Sequence, residues 1–352
     1  MNSLQAATTT PTLKIGITEA GVARTSSDPV IDIDTKFRMV KDSGAYDYYD
    51  KTPESQQVVD EYLAASEKYD LPILAGGWFY RLGQDEALLK EKLELSARVG
   101  SKVHNTQILW KHKQGHVVTD DEVEDIYLRA YEWGCNVGCL PTFEVHISMW
   151  SEDFRRVAAV GQRIEKRGIP FNITLDHSHV IFKIDNPEEQ KVFDIDAAVE
   201  CGDLILDPFE SGNVCSQWIE NGWVRHAHAR AAIPNNPKNT AAQHANGKYG
   251  RGVQYPFIRP NADEYIAPWD ERELEPWKEV IRQLFVYHST TPGSALGQIS
   301  TEFIPGVDYG AGHGYSLFEN SVACARWMRD LWQNINTKQV DAAGIAGLNT
   351  QR

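Results

Sequence analysis

Short apolar runs alternate with helix-period segments along most of this 352-residue chain. The runs are Leu13 to Ile17, Leu71 to Leu74, Val103 to Leu109, Leu140 to Ile147, Pro170 to Leu175, Trp223 to Ala229 and Ile299 to Ile304. Between them, Ser55 to Tyr69, Gln84 to Val99, Asp120 to Trp133, Ser151 to Arg167 and Pro187 to Glu200 place apolar residues at helical spacing, with Asp120 and Ser151 as expected N-caps. Parallel strands cannot be joined by tight turns, so this alternation predicts an α/β fold in which crossover helices link parallel strands. At this length a single (β/α)8 TIM barrel with an insertion accommodates the chain. The expected barrel spans 13–335, with a long loop insertion at 232–269 that is rich in Asn, Pro, Gly and Lys. Residues 1–12 read as a disordered Ser/Thr/Ala-rich segment and 336–352 as a C-terminal tail.

Charge and cysteine usage narrow the function classes. Lys and Arg number 35 against 49 Asp and Glu, a net charge of −14, with no basic run. A surface that neutralises phosphates is not expected, and nucleic acid is excluded as a partner. The five cysteines are odd in number and form no C-x-x-C pair, so neither a disulfide framework nor a thiolate zinc site is indicated. No apolar run reaches membrane-spanning length and no leader-like start is present, so a cytoplasmic protein without membrane attachment is expected.

Acids and imidazoles collect at the ends of the strand-like runs: Glu144-Val145-His146, Asp176-His177-Ser178-His179, His226-Ala227-His228 and Thr301-Glu302-Phe303. In a parallel barrel the carboxyl ends of the strands converge on one pocket, so these segments can meet although far apart in sequence. Residues two apart on a strand point the same way, which pairs Glu144 with His146 and His226 with His228. A single histidine at a strand end is ordinarily a hydrogen-bonded structural residue. Three acids in otherwise apolar strands are a different matter, because an unpaired buried carboxylate is costly. A divalent cation held by oxygen and nitrogen ligands supplies the missing counter-charge.

These motifs resemble a known family. Asp176 to His179 follows a D-x-x-H pattern, His226 to His228 an H-x-H pattern, and Glu302 in Ser-Thr-Glu-Phe a late strand glutamate, in the order found in xylose isomerase-like TIM barrels of the sugar isomerase and epimerase branch. The resemblance runs from about Leu13 to Trp332. It implies one divalent metal, manganese first with magnesium, cobalt or zinc as alternatives, bound by Glu144, Asp176, His228 and Glu302. It also implies a small-molecule sugar substrate contacted by His179, and gives the Gly-rich basic run at 247–252 a counterpart in the family.

His146 beside Glu144, Arg230 after His228, Ser-Met-Trp after Glu-Val-His and the long loop after the His-Ala-His strand look most like the larger, metal-binding subunit of bacterial C-glycoside deglycosidases. That resemblance implies a 3-keto C-glycoside as substrate, a small β-rich partner subunit, and a hetero-oligomer. His146 would take the sugar C2 proton as general base and the aglycone would leave from C1, with Glu144 and Glu302 as the acid/base pair of the wider branch. The leaving carbon needs an acid, for which His104, Lys248 and Tyr249 are candidates. Arg230, His104, Trp110 and Lys248 are the further substrate-binding candidates; Trp150 stands with Trp110 as a stacking candidate, ahead of Trp78 and Trp218. Asp308, His313 and Glu319 follow the last strand.

Alternative readings are a sugar isomerase or 3-epimerase of the same fold, a keto-polyol dehydratase, and a sugar-binding barrel without catalysis. A multi-metal DNA-repair endonuclease of this fold is disfavoured by the acidic charge.

Overall fold

The computed structural model describes residues 11–349 apart from 24, 26–28, 236–238, 241 and 253, with side chains as far as 337. Most of the segment expected to be disordered at 1–12 therefore lies outside the described residues. Eight strands close into a parallel barrel in sequence order. They are β1 (Lys14–Thr18), β2 (Tyr48–Asp50), β3 (Ile73–Tyr80), β4 (Val103–Ile108), β5 (Leu140–Val145), β6 (Ile173–Asp176), β7 (Val224–Ala229) and β8 (Gln298–Thr301). The ring closes where β8 pairs with β1, Ile15 opposite Ile299 and Ile17 opposite Thr301. The expected (β/α)8 barrel is thus what forms.

The helices are α1 (Ile33–Ser43), α2 (Gln56–Tyr69), α3 (Glu86–Val99), α4 (Asp120–Val137), α5 (Phe154–Lys166), α6 (Ser178–Ile181), α7 (Pro187–Gln190), α8 (Asp196–Glu200), α9 (Val214–Glu220), α10 (Glu275–Thr290) and α11 (Leu317–Asn349). Three expectations change. The cap of α4 is Thr119, whose hydroxyl takes the Glu122 N–H while Glu122 reaches back to the Thr119 N–H, so Asp120 sits inside the first turn. The cap of α5 is Asp153, accepting from Arg155 N–H; Ser151 is spent elsewhere, as described below. The stretch 187–200 is two short helices, interrupted at Asp194, whose φ of 53° is left-handed. The last helix runs on without a break past 335. No helix among the described residues is long and apolar enough to cross a membrane, and all five cysteines are free.

Inside the barrel the layers are polar, which is unusual where branched aliphatics commonly fill this space. One layer links Thr142 to Thr174 at 2.7 Å, Thr174 to His226 Nδ1 at 3.3 Å, His226 Nε2 to Ser300 at 3.3 Å, and Ser300 to the Tyr48 hydroxyl at 2.8 Å. Burial pushes the His226 imidazole down to about 3, so it sits there neutral, exchanging hydrogen bonds with hydroxyls. The Tyr48 ring crosses the barrel against Gly16, where a Cβ would come within 2.3 Å of it; only glycine lets β1 pass so close. This closed floor supports a second layer, one turn of the pleat higher, which is made of acids.

Candidate metal centre and active site

Alternation along each strand lifts every second inward residue into the upper layer. Asp50 follows Tyr48, Glu144 follows Thr142, Asp176 follows Thr174, and His228 follows His226. Glu302 joins them from just beyond β8. One ligand atom from each of Glu144, Asp176, His228 and Glu302 lies within 4.8 Å of the others, and all four residues are buried. His228 Nδ1 stands 3.0 Å from Glu144 Oε1 and 3.0 Å from Glu302 Oε2, while its Nε2 faces Asp50 Oδ2 at 3.7 Å.

Arg230 enters from the end of β7. It donates to Glu302 Oε2 at 2.9 Å and to Asp176 Oδ2. It also donates to His179 Nε2 at 2.7 Å, which makes that nitrogen the acceptor. Ser178 fixes the other Asp176 oxygen from its hydroxyl, at 2.6 Å. Glu144 Oε2 is held by the side-chain amides of Asn105, at 2.6 Å, and Gln107.

The protonation pattern follows from these contacts. Burial raises the Glu144 carboxyl, but the His228 and His146 rings and the hydrogen bonds overcome it and leave the group below the usual carboxylate range. Asp176 is likewise raised by burial and brought well below that range, chiefly by the Arg230 charge and also by the Ser178 hydroxyl. Burial opposes charge on His228, yet Glu302 and Glu144 hold its pKa well above the imidazole norm. Glu302 goes the other way: burial and the Glu144 charge outweigh His228 and Arg230, and its carboxyl is raised. Burial pushes His179 down to about 3.

Four carboxylates thus face one guanidinium and one imidazolium, an excess of negative charge in a buried site that grows once His228 gives up its proton to serve as a ligand. A divalent cation fits that deficit and the donor set, three carboxylate oxygens and one imidazole nitrogen. The residues present therefore suit the metal, with Glu144, Asp176, His228 and Glu302 positioned to hold it. Asp50, across His228, occupies the place of an outer carboxylate that orients a ligand imidazole.

A cavity of ≈ 880 Å³ opens beside the cluster. Asp50, Asn105, Gln107, His228 and Glu302 line its inner end, so Glu302 is the cluster carboxylate presented to a ligand. Trp78 and Phe79 form an aromatic wall, their rings 5.7 Å apart and within 10° of parallel. Ile31 and Met39 add apolar surface opposite.

His146 lies on the other side of the cluster, its ring 4.1 Å from that of His179. Its Nδ1 is 2.6 Å from the Ile147 carbonyl, which can only accept, so Nδ1 carries the hydrogen and Nε2 the lone pair. The Tyr309 hydroxyl caps Nε2 at 2.8 Å, with the Tyr309 ring 4.4 Å from the Arg230 guanidinium. Ser151 positions this turn, donating to Glu144 O at 2.5 Å and accepting from His146 N–H at 3.2 Å. Ser148, at φ 61°, adopts the left-handed conformation, and Glu152 takes its N–H.

Other sequence candidates fall elsewhere. His104 points away from the cavity into the helix layer, with Nδ1 2.9 Å from Ser96 and 3.2 Å from Thr52 and Nε2 2.7 Å from the Tyr80 hydroxyl. Burial pushes it down to about 3, so it is a neutral structural histidine and not a substrate contact. Trp110 packs edge-on against Phe193 outside the cavity, and Lys248 and Tyr249 are exposed on the insertion. Trp150 and Trp218 are core residues; Trp78 alone of the tryptophans lines the cavity. Asp308 accepts from Arg251 N–H, His313 packs on Tyr265, and Glu319 begins α11.

The insertion's inward cation is Arg251 instead of Lys248. It bridges Glu189 and Glu152, and Lys183, fully buried, reaches the same Glu152 at 2.9 Å. Burial raises Glu152, but Lys183 and Arg251 bring it down to about 2. Because Glu152 also holds Ser148, this network ties the insertion to the turn that carries His146. Glu152→Gln will leave Lys183 facing a neutral amide and destabilise the fold by about 3 kcal/mol, read from chemical denaturation at pH 7. The deficit will shrink as the pH falls towards 2, where the wild-type carboxyl itself protonates.

No protein-family model matches the sequence, and no curated protein does. Among solved structures the chain is similar to D-psicose 3-epimerase from Clostridium cellulolyticum H10, at 9% identity and TM-score 0.51 over 91% of this chain and 99% of that one. It is also similar to a protein from Mycobacterium smegmatis solved in complex with magnesium, at 12% identity and TM-score 0.51 over 95% and 99%. The latter is described as a xylose isomerase-like TIM barrel. The chain has the (β/α)8 fold of these barrels. A D-allulose 3-epimerase from Methylomonas sp. shares it at 11% identity and TM-score 0.51, over 92% of this chain and 98% of that one. In this barrel Asp50, Asn105, Gln107 and Tyr309 complete the surroundings of the cluster, and none of them stands in the acid and imidazole motifs of the sequence. Asn105 and Gln107 were findable: they lie two apart in a strand-like run, so they face one side together.

Proposed function

We propose that the protein is a divalent-metal-dependent carbon–carbon lyase that releases an aromatic aglycone from a 3-keto C-glycoside, working with a small β-rich partner subunit. The observation that carries this reading is the ≈ 880 Å³ cavity, which joins the acid cluster at one end to the Trp78 and Phe79 wall at the other. Ligand pockets span roughly 300–1,000 Å³, and this one exceeds what a free hexose needs, leaving space for an aromatic group beyond the sugar.

When bound, the cation polarises the sugar ketone and acidifies the neighbouring C–H. The base in this reading is His146 Nε2, the ring nitrogen with the lone pair. Because His146 and its Tyr309 cap lie across the cluster from the cavity, the sugar must seat over the cluster with Tyr309 swung aside for that nitrogen to take the C2 proton. The electron pair left at C2 forms the C1–C2 double bond as the bond from C1 to the aglycone carbon breaks. The aglycone carbon leaves with the bonding pair and gains one proton from solvent in the cavity, matching the one lost from C2. The products are a 1,2-unsaturated 3-keto sugar and the neutral arene, and no water is consumed. Arg230, through its bonds to Glu302, Asp176 and His179, fixes the cluster from behind, and Trp78 stacks on the aglycone in the cavity.

A second reading, a sugar isomerase or 3-epimerase, draws on one observation: the two cluster glutamates are pushed apart in acidity, Glu302 raised and Glu144 lowered, as befits an acid and a base. Incubation with a 3-keto C-glucoside, a 3-keto O-glucoside and free ketohexoses, with manganese, separates the two. Free aglycone from the C-glucoside is the expected product. Epimerised ketohexose without any aglycone, in the presence of the partner subunit as well, would overturn the lyase in favour of the epimerase.

A further inference from the structure

Away from the barrel mouth a second set of ligand-type side chains converges. We infer that His112, His116 and Glu122 form a separate, surface metal site suited to Zn2+ and similar borderline cations. One donor atom from each lies within 4.8 Å of the others. Backbone and side-chain geometry both build this arrangement. Lys111 pairs with Val117 in an antiparallel bridge, and His112 N–H donates to His116 O at 3.0 Å, so a small hairpin sets the two imidazoles side by side. Their rings stack with centroids 4.5 Å apart and planes at 23°. Gly83 lies under the His112 ring, where a Cβ would come within 2.4 Å of it, so glycine is what allows the ring its place.

Glu122 supplies the oxygen. The cap of α4 uses only its Oε2, which accepts from Thr119 N–H at 2.8 Å and the Thr119 hydroxyl at 3.1 Å. Its Oε1 lies outside the cap and is hydrogen-bonded to His116 Nε2 at 2.9 Å, so a carboxylate oxygen and an imidazole nitrogen already face each other where an ion would sit. The capping box does not account for the second imidazole, His112, stacked beside them. A cation at a helix N-terminus meets an unfavourable dipole, which the Glu122 carboxylate offsets as a ligand; Asp120 and Asp121 in the same turn are paired with Arg156 and Arg163. The His116 and Glu122 side chains are 41% and 32% exposed, so an ion reaches them from solvent and water completes a tetrahedral shell.

The donor sets make the two centres chemically distinct. The central one, with three carboxylates, suits manganese or magnesium; two imidazoles and one carboxylate suit zinc. The hairpin is also joined to the catalytic turn, through the Leu109–Met149 bridge and the Trp110 N–H bond to Ser148 O at 3.3 Å. Zinc there clamps the hairpin, the start of α4 and the turn bearing His146 into one unit.

The test uses the full chain with its central cluster saturated by excess manganese, titrated with zinc by calorimetry and then analysed for both metals. One zinc bound per chain without loss of manganese, with a higher melting temperature, is the expected result. Loss of an outer-shell partner alone weakens metal affinity about 10–100-fold, so H112A and H116A should each weaken the zinc site by at least about 100-fold with manganese content unchanged. E122Q, which keeps an oxygen for the cap, should weaken it while melting like the parent. Zinc that enters only by displacing manganese, or that binds equally well to H112A, H116A and E122Q, would overturn the assignment.

Discussion

Glu302→Gln will raise the melting temperature of the metal-free protein and abolish the further rise that manganese produces. Both effects have one cause. In the metal-free site burial and Glu144 raise the Glu302 carboxyl against the pull of His228 and Arg230. A carboxyl raised on folding contributes stability that is complete below its unfolded value and is lost as the pH climbs through its folded value. At pH 7 the ionised group is therefore a burden, and the isosteric amide removes it while its oxygen still accepts from Arg230. The metal-free variant should therefore melt above wild type at pH 7, and the difference should shrink as the pH falls. The same change withdraws an anionic ligand. Wild type should gain about 2.7 kcal/mol at a manganese concentration 100 times its dissociation constant, and the variant almost nothing. Turnover should fall by about 10³-fold or more, equivalent to at least about 4 kcal/mol. Metal binding to wild type must also strip the proton from His228, so calorimetry in buffers of different ionisation enthalpy should report release of about one proton. A variant that melts lower than wild type without metal, or still responds to manganese, would show that the cluster is held by its own hydrogen bonds and needs no cation.

Why the cluster was legible in the sequence, and its surroundings less so, follows from how each residue is delivered. Glu144, Asp176, His228 and Glu302 end apolar runs of ordinary strand length, and a barrel maps such ends onto one face, so their meeting needs only the topology. Asp50 escaped because β2 is three residues long, Tyr48-Tyr49-Asp50, too brief for any period to emerge. Tyr309 lies in a loop after β8 and reaches His146 through tertiary packing that no local pattern records. His104 misled for the opposite reason. It stands on β4 beside Asn105, and alternation sends one of the two inward; the polar character of both hides which. Arg251, not Lys248, turned inward because its two partners, Glu152 in the turn before α5 and Glu189 in α7, come from segments that sequence spacing does not bring together.

His146→Ala should leave metal binding intact and reduce aglycone release by about 10³-fold, within the range that a general base contributes. Its side chain makes one bond to the Ile147 carbonyl and one to Tyr309, and touches none of the cluster's ligand oxygens at hydrogen-bond distance among the described contacts. Manganese content and its effect on melting should therefore match wild type, and the stability loss should stay at about 1–2 kcal/mol. Tyr309→Phe discriminates the finer point. It removes the donor from His146 Nε2 and leaves the ring, with its stacking on Arg230, in place. If Tyr309 merely covers the base, turnover should be maintained or rise, because an accepting nitrogen is uncovered. If it relays the proton, turnover should fall with the His146 variant. The competing outcome is equally sharp: His146→Ala releasing aglycone at the wild-type rate, while Glu302→Gln does not, would move the proton transfer to the glutamate pair. The base would then sit on the cavity side of the cluster, where Glu302 already faces the ligand, and the chemistry would be that of an epimerising barrel.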